Sequence, residues 1–145
     1  MLCKLIRILK TNGSEISRSN LGFKKKGNVG LEGITINANN NHIFVVKEKK
    51  PRFLIELGDR FKEFKRRELN YADDLSGLDY VESTNDLWII SDESKLVAKC
   101  SPDGIIKEKF RIDINQIEGI AVDPRSNKIY LVSDKEEKLY VLEMK

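Results

Sequence analysis

The side chains best placed to do chemistry together are Glu32, Ser76, Glu118, Glu48, Asp92 and Asp134. They occupy two fixed places in a unit that occurs three times. Glu32, Ser76 and Glu118 each precede a glycine, in Leu31-Glu32-Gly33-Ile34, Leu75-Ser76-Gly77-Leu78 and Ile117-Glu118-Gly119-Ile120. Glu48, Asp92 and Asp134 each follow an apolar run that begins twelve residues after the unit starts. Five of the six are carboxylates, which repel one another when crowded unless a cation or basic group intervenes, and hard oxygen donors suit calcium. The chemistry predicted is a calcium or small-cation site from Glu32, Glu118, Asp92 and Asp134, with Glu48 and Ser76 on the same ligand face. A polar pocket for an organic ligand fits the same residues. So does a purely structural role, with Asp92 and Asp134 capping their own turns. Glu32 and Glu118 would then bond to backbone amides or pair with a lysine.

The units start at residues 31, 75 and 117, which are 44 and 42 residues apart. A four-stranded propeller blade takes about 40–50 residues, so the period predicts an all-β chain. The expected fold is a partial β-propeller of about three four-stranded blades, half of a six-bladed ring. In a propeller the first strand of each blade lines the central channel. The loop entering it and the hairpin leaving the second strand open on one face, where the six candidate residues would meet.

One domain, 1–145, is expected, with an outer half-blade at 1–28, blade 1 at 29–74, blade 2 at 75–116 and an incomplete blade 3 at 117–145. Lys4 to Gly13 aligns without a gap to Lys95 to Gly104, and Asn12-Gly13 and Asp103-Gly104 mark tight turns. Residues 22–28 read as a loop. In blade 1 the strands are placed at 31–36, 42–47 and 52–57. In blade 2 they are placed at 75–80, 87–91, 95–100 and 105–112, and in blade 3 at 117–122, 128–133 and 138–143. Asn41, Asn85 and Asn127 recur at one turn position, where asparagine tolerates a left-handed backbone. Residues 59–69 read as a charged outer strand rather than a helix, with Lys62, Lys65, Arg66 and Arg67 as a solvated rim rather than a phosphate site. Gly33, Gly77 and Gly119 read as structural, permitting close backbone approach. An open arc of three blades would expose the flat apolar sides of its end blades, and such patches drive association.

The remaining chemistry is sparse. His42 is the one histidine and falls in a turn on the face opposite the carboxylates, so it reads as a surface residue with no acid–base partner. Ser76, Ser91, Ser94 and Ser133 therefore have no base to activate them. Trp88 alternates with Leu87 and Ile89 and reads as core between blades. No phosphate loop, dinucleotide fingerprint or zinc spacing is present. The 26 basic and 23 acidic residues leave a net charge of +3, too balanced for a nucleic-acid partner. No apolar run nears the roughly 20 residues that cross a bilayer, and the first ten lack a signal peptide's pattern. The expected address, as translated, is the cytoplasm. Cys3 and Cys100 read as small apolar strand residues.

These motifs, in this order, resemble the bacterial SdiA-regulated propeller family. The segments that carry the resemblance are Gly-Leu-Glu-Gly-Ile (30–34) with Phe-Val-Val-Lys-Glu-Lys-Lys-Pro (44–51), Asp-Leu-Ser-Gly-Leu (74–78) with Ile-Ile-Ser-Asp-Glu-Ser (89–94), and Gln-Ile-Glu-Gly-Ile-Ala-Val-Asp (116–123) with Leu-Val-Ser-Asp (131–134). The resemblance implies a six-bladed ring, full-length relatives that are membrane-anchored or extracytoplasmic, and no established enzymatic activity. The expected function is a non-catalytic binding or interaction module. Its expected partners are a small ligand or protein, and either a second copy or a missing propeller half. The alternatives are a calcium-dependent lactonase- or esterase-like hydrolase, by fold analogy, and a truncated gene remnant without independent function.

Overall fold

The computed structural model describes residues 3–24 and 30–144, and side chains from Ile6 to Phe23 and from Gly30 to Met144. The thirteen strands among them are β1 (Cys3–Leu9), β2 (Glu15–Lys24), β3 (Leu31–Asn37), β4 (His42–Lys47), β5 (Phe53–Leu57), β6 (Glu63–Glu68), β7 (Gly77–Val81), β8 (Asp86–Ser91), β9 (Leu96–Cys100), β10 (Ile106–Arg111), β11 (Ile117–Asp123), β12 (Lys128–Ser133) and β13 (Lys138–Glu143). They form four antiparallel sheets: β1-β2, β3-β4-β5-β6, β7-β8-β9-β10 and β11-β12-β13. Each strand pairs with its neighbour in sequence, so every connection inside a sheet is a hairpin. Asn41, Asn85 and Asn127 take the expected left-handed conformation, at φ 59°, 54° and 57°. In the Asn12-Gly13 and Asp103-Gly104 turns only the glycines have positive φ, 85° and 76°.

The sheets stack face to face, with first strands side by side: β3 against β7, and β7 against β11. Alternation along the strands fills the gaps between them. Leu78, Tyr80, Leu87, Ile89 and Cys100 meet Phe44, Val46 and Leu54 of the preceding sheet. Trp88, Ile90 and Val97 project the other way, onto Ile117, Ile129 and Leu131. Trp88 and Cys100 are thus core residues, as expected, and Trp88 also stacks on Phe110 with ring centroids 6.0 Å apart. The side chain of Cys3 lies outside the described residues.

The β1-β2 hairpin packs Leu21 and Phe23 onto Val45, Ile55 and Leu57. This corrects the loop expected at 22–28: Gly22 to Lys24 belong to β2, and Gly22 bends the strand at φ 70°. Residues 25–28 of that expected loop lie outside the described residues. Phe23 is buried, stacked 5.7 Å from Phe53, and Arg66 lies 4.2 Å above its ring while donating to the Leu21 carbonyl at 2.8 Å. Burial of an aromatic ring extends the strand past the glycine.

The charged segment at 59–69 splits into a 3-10 turn at Asp59–Phe61 and the edge strand β6. Three of its cations are paired: Lys65 and Arg67 reach Asp103 of the next sheet, and Arg66 reaches Glu63. Of the four cations expected to form a solvated rim, Lys62 and Arg67 are exposed and Lys65 and Arg66 half-buried. The third sheet ends likewise in a charged strand, Ile106-Lys107-Glu108-Lys109-Phe110-Arg111. The expected strand at 75–80 starts later, at Gly77. Leu75 is fully buried ahead of it, and the Ser76 amide donates to the Ile90 carbonyl at 3.0 Å.

First strands this close need glycine. A Cβ on Gly33 would lie 2.6 Å from Leu78 Cδ2 and 3.0 Å from the Gly77 Cα, which is backbone and cannot rotate away. A Cβ on Gly119 would meet only Cγ2 of Val132, at 2.8 Å, and Val132 is exposed. Gly33→Ala is expected to cost about 1–3 kcal/mol through overpacking, and Gly119→Ala clearly less. Urea unfolding midpoints of the two variants check the order.

Candidate functional site

The mouth of the arrangement lies where each first strand begins and each second strand ends. Two backbone irregularities set its shape. Leu31 pairs with Lys47 while Gly33 pairs with Val46, so Glu32 is the extra residue of a β-bulge. Ile117 pairs with Ser133 and Gly119 with Val132, so Glu118 is the extra residue of a second one. A bulge removes a residue from the ladder and re-aims its side chain. The equivalent Ser76 lies just ahead of β7; it is buried, and its hydroxyl donates to the Ile90 carbonyl at 3.4 Å.

The structure brings the five carboxylates into one electrostatic neighbourhood. The Glu118 carboxyl is held above its ordinary value of 4.5, first by the loss of water around it and then by the charges of Glu32, Asp134, Asp92 and Glu48. Glu118 and Asp134 border one shallow cavity with Val132 and Ser133. Asp92 accepts from the Ile117 amide at 3.3 Å and pairs with Lys95 at 2.9 Å. It thereby ties the end of β8 to the start of β11. Glu48 pairs with Lys49 at 3.2 Å, and Lys49 also reaches Glu93 at 2.5 Å. Among the described residues, no three carboxylate, imidazole or thiol groups come close enough together to ligate one ion.

The mouth's serines hold turns. Ser91 donates to the buried carboxylate of Asp74 and accepts from the Ser94 amide at 3.1 Å. Ser133 donates to the Asn115 carbonyl at 2.5 Å and accepts from the Glu136 amide at 3.1 Å. Asp74 also accepts from the Glu93 amide at 3.0 Å. Sequence reasoning passed over this residue, although its place beside the Leu-Ser-Gly unit was a usable signal.

His42 is corrected. It is half-buried, and its Nδ1 lies 2.6 Å from Oε1 of Glu56, with the Phe64 ring 5.0 Å away. It therefore has an acidic partner, but stands at the far end of β4 from Glu48, about 20 Å along the strand. Sequence reasoning also missed a cavity of about 650 Å³ between the outer strands β10 and β13, lined by Trp88, Val97, Phe110, Ile129 and Leu142.

Antiparallel sheets stacked through adjacent first strands define a β-propeller-like protein. The chain belongs to the SdiA-regulated family, whose model matches residues 7–143. It is similar in fold to a protein of unknown function from Bacteroides caccae: TM-score 0.64 and 7% identity, covering 94% of this chain and 53% of that one. It is similar also to Saccharomyces cerevisiae Sqt1: TM-score 0.65 and 13% identity, covering 97% of this chain and 39% of that one. The chain thus spans about half or less of these solved structures. Among the described residues, no helix is long and apolar enough to cross a membrane.

A carboxyl with a raised pKa destabilises the folded state once ionised, so its cost appears as pH rises through the folded value. Below pH 4.5 the group is protonated in both states and the cost vanishes. Glu118→Gln should therefore raise the melting temperature at pH 7–8, by about 1–3 °C, and leave it unchanged near pH 4. Thermal melts at the two pH values check this.

Proposed function

We propose that this chain is a non-catalytic binding module: three blades, half of a six-bladed propeller, with an acidic mouth that receives a cation or the cationic group of a ligand. The observation that carries the reading is the mutual charge of Glu32, Glu48, Asp92, Glu118 and Asp134, felt at Glu118. Negative charge gathered at one end of a stack of sheets attracts positive charge. Lys95 and Lys49 neutralise it only in part, since each already faces two acceptors. Membership of the SdiA-regulated family supports a propeller scaffold and brings no named reaction. A calcium-dependent lactonase- or esterase-like hydrolase would use the same carboxylates, but the His42–Glu56 pair lies at the wrong end of the strand to serve as its base.

The test is a thermal titration with calcium chloride and, separately, spermidine, each against sodium chloride of equal ionic strength. A ligand that binds only the folded state raises its melting temperature. The expected result is a rise of a few degrees beyond the salt control with at least one cation, reduced in Glu32→Gln and in Glu118→Gln. If neither cation shifts the transition beyond the control, the mouth has no cationic occupant and the proposal fails. No shift at millimolar calcium also removes the hydrolase.

A further inference from the structure

The chain leaves uncovered, on β3 at one side and on its last sheet at the other, parts of an interface it already makes twice; the rest of the first side, at Val45, Ile55 and Leu57, is covered by the β1-β2 hairpin. On the first side, Ile34 and Ile36 of β3 correspond in the repeat to Leu78 and Tyr80 of β7. Leu78 is 5% exposed because it lies in the groove beside Gly33 of the preceding sheet, whereas Ile34 is 69% exposed. On the last side, Val132 pairs with Leu139 as Ile90 pairs with Val97 and Val46 with Leu54. Val97 is fully buried (0% exposed) and Leu139 is 62% exposed. Gly119 continues the pattern: a Cβ on Gly33 would meet the next sheet, and one on Gly119 would meet only Val132 of its own.

Area and edge chemistry agree. A compact folded monomer of 16.7 kDa exposes about 7,600 Å². This chain exposes 8898 Å². The excess, about 1,300 Å², exceeds the roughly 800 Å² that each partner contributes to a stable interface. β13 also differs from the charged edge strands β6 and β10. Its exposed Leu139 and Val141 lie on one face while Tyr140 and Leu142 pack inward on the other. The four central residues of β13 carry no charge, and an exposed apolar edge favours association with another chain.

We propose that the occupant is a second copy of this chain, joined head to tail. Ile34 and Ile36 of each copy would settle against Val132, Leu139 and Gly119 of the other, as Leu78 and Tyr80 settle on the sheet before them. One chain carries both halves of the interface, and each copy matches about half of a solved propeller-like chain, 53% of it. A rotation of 180° about the channel then closes the ring with two copies, where a rotation that does not divide a full turn would leave an open series. At each junction β13 and the partner's β1 stand at the same position of the repeat. β13 is anchored there through Tyr140, Leu142 and Met144, so closing the ring requires the partner's β1-β2 hairpin to give up its place on Val45, Ile55 and Leu57. The inference is independent of what the acidic mouth binds.

Size-exclusion chromatography with light scattering on the full chain, at about 100 µM because association is concentration-dependent, tests this. The expected mass is twice 16.7 kDa. Ile34→Glu and Leu139→Glu, both at exposed positions, should each give a monomer with an unchanged circular dichroism spectrum. An equimolar mixture of the two variants should regain a weaker dimer, because one variant's intact face meets the other's. A monomeric wild type overturns the proposal. So does a dimer that survives both substitutions, a series of larger open oligomers, or two monomeric variants that stay monomeric when mixed.

Discussion

The close approach of β3, β7 and β11 governs the rest of the structure. Strands of neighbouring sheets come this near only where side chains are absent from one partner, and Gly33 and Gly77 provide that. The backbone of Gly77 sits where a side chain on Gly33 would have to go. Leu78 and Tyr80 then reach the preceding sheet, and the wider space beyond fills with Phe44, Leu87 and Ile89. Narrow at the first strands and broad outside, the gap makes the sheets fan out instead of lying parallel.

Fanning about a shared inner edge has an electrostatic consequence. The ends of the first strands are forced together whatever their side chains are, so charges placed there add. Two bulges, at Glu32 and Glu118, aim carboxylates out of the ladder at this crowded end. Lys95 and Lys49 offset part of the repulsion, and Asp92 uses its remaining capacity to tether the Ile117 amide. The mouth gathers like charge that these lysines offset in part, held by packing that lies elsewhere.

The outer edges obey a different rule. β6 and β10 carry lysine, arginine and glutamate, and pairs such as Lys65 with Asp103 and Lys107 with Asp86 bridge sheets or strands there. Charges on exposed strands discourage pairing with other chains. Arg66 does more: it covers Phe23 and holds the Leu21 carbonyl, docking the β1-β2 hairpin on the second sheet. Where such protection stops, at β13 and at the bare face of β3, the surface is apolar.

Much of the fold was legible because it is written locally and three times over. Alternation, the glycine units and the turn asparagines need only neighbours in the chain, so β4, β12 and β13 fall where the pattern places them, and Asn41, Asn85 and Asn127 take the expected backbone. A repeat puts equivalent residues at equivalent places, and the charges of Glu32, Glu48, Asp92 and Asp134 all act on Glu118. What sequence could not decide depends on contacts between distant segments. The partnership of His42 with Glu56, the burial of Phe23 beyond Gly22, and the burial of Ser76 against the Ile90 carbonyl each follow from packing across strands or sheets. The bulges at Glu32 and Glu118 belong here too: a one-residue change of register exists only once two strands are paired, and no single strand records it.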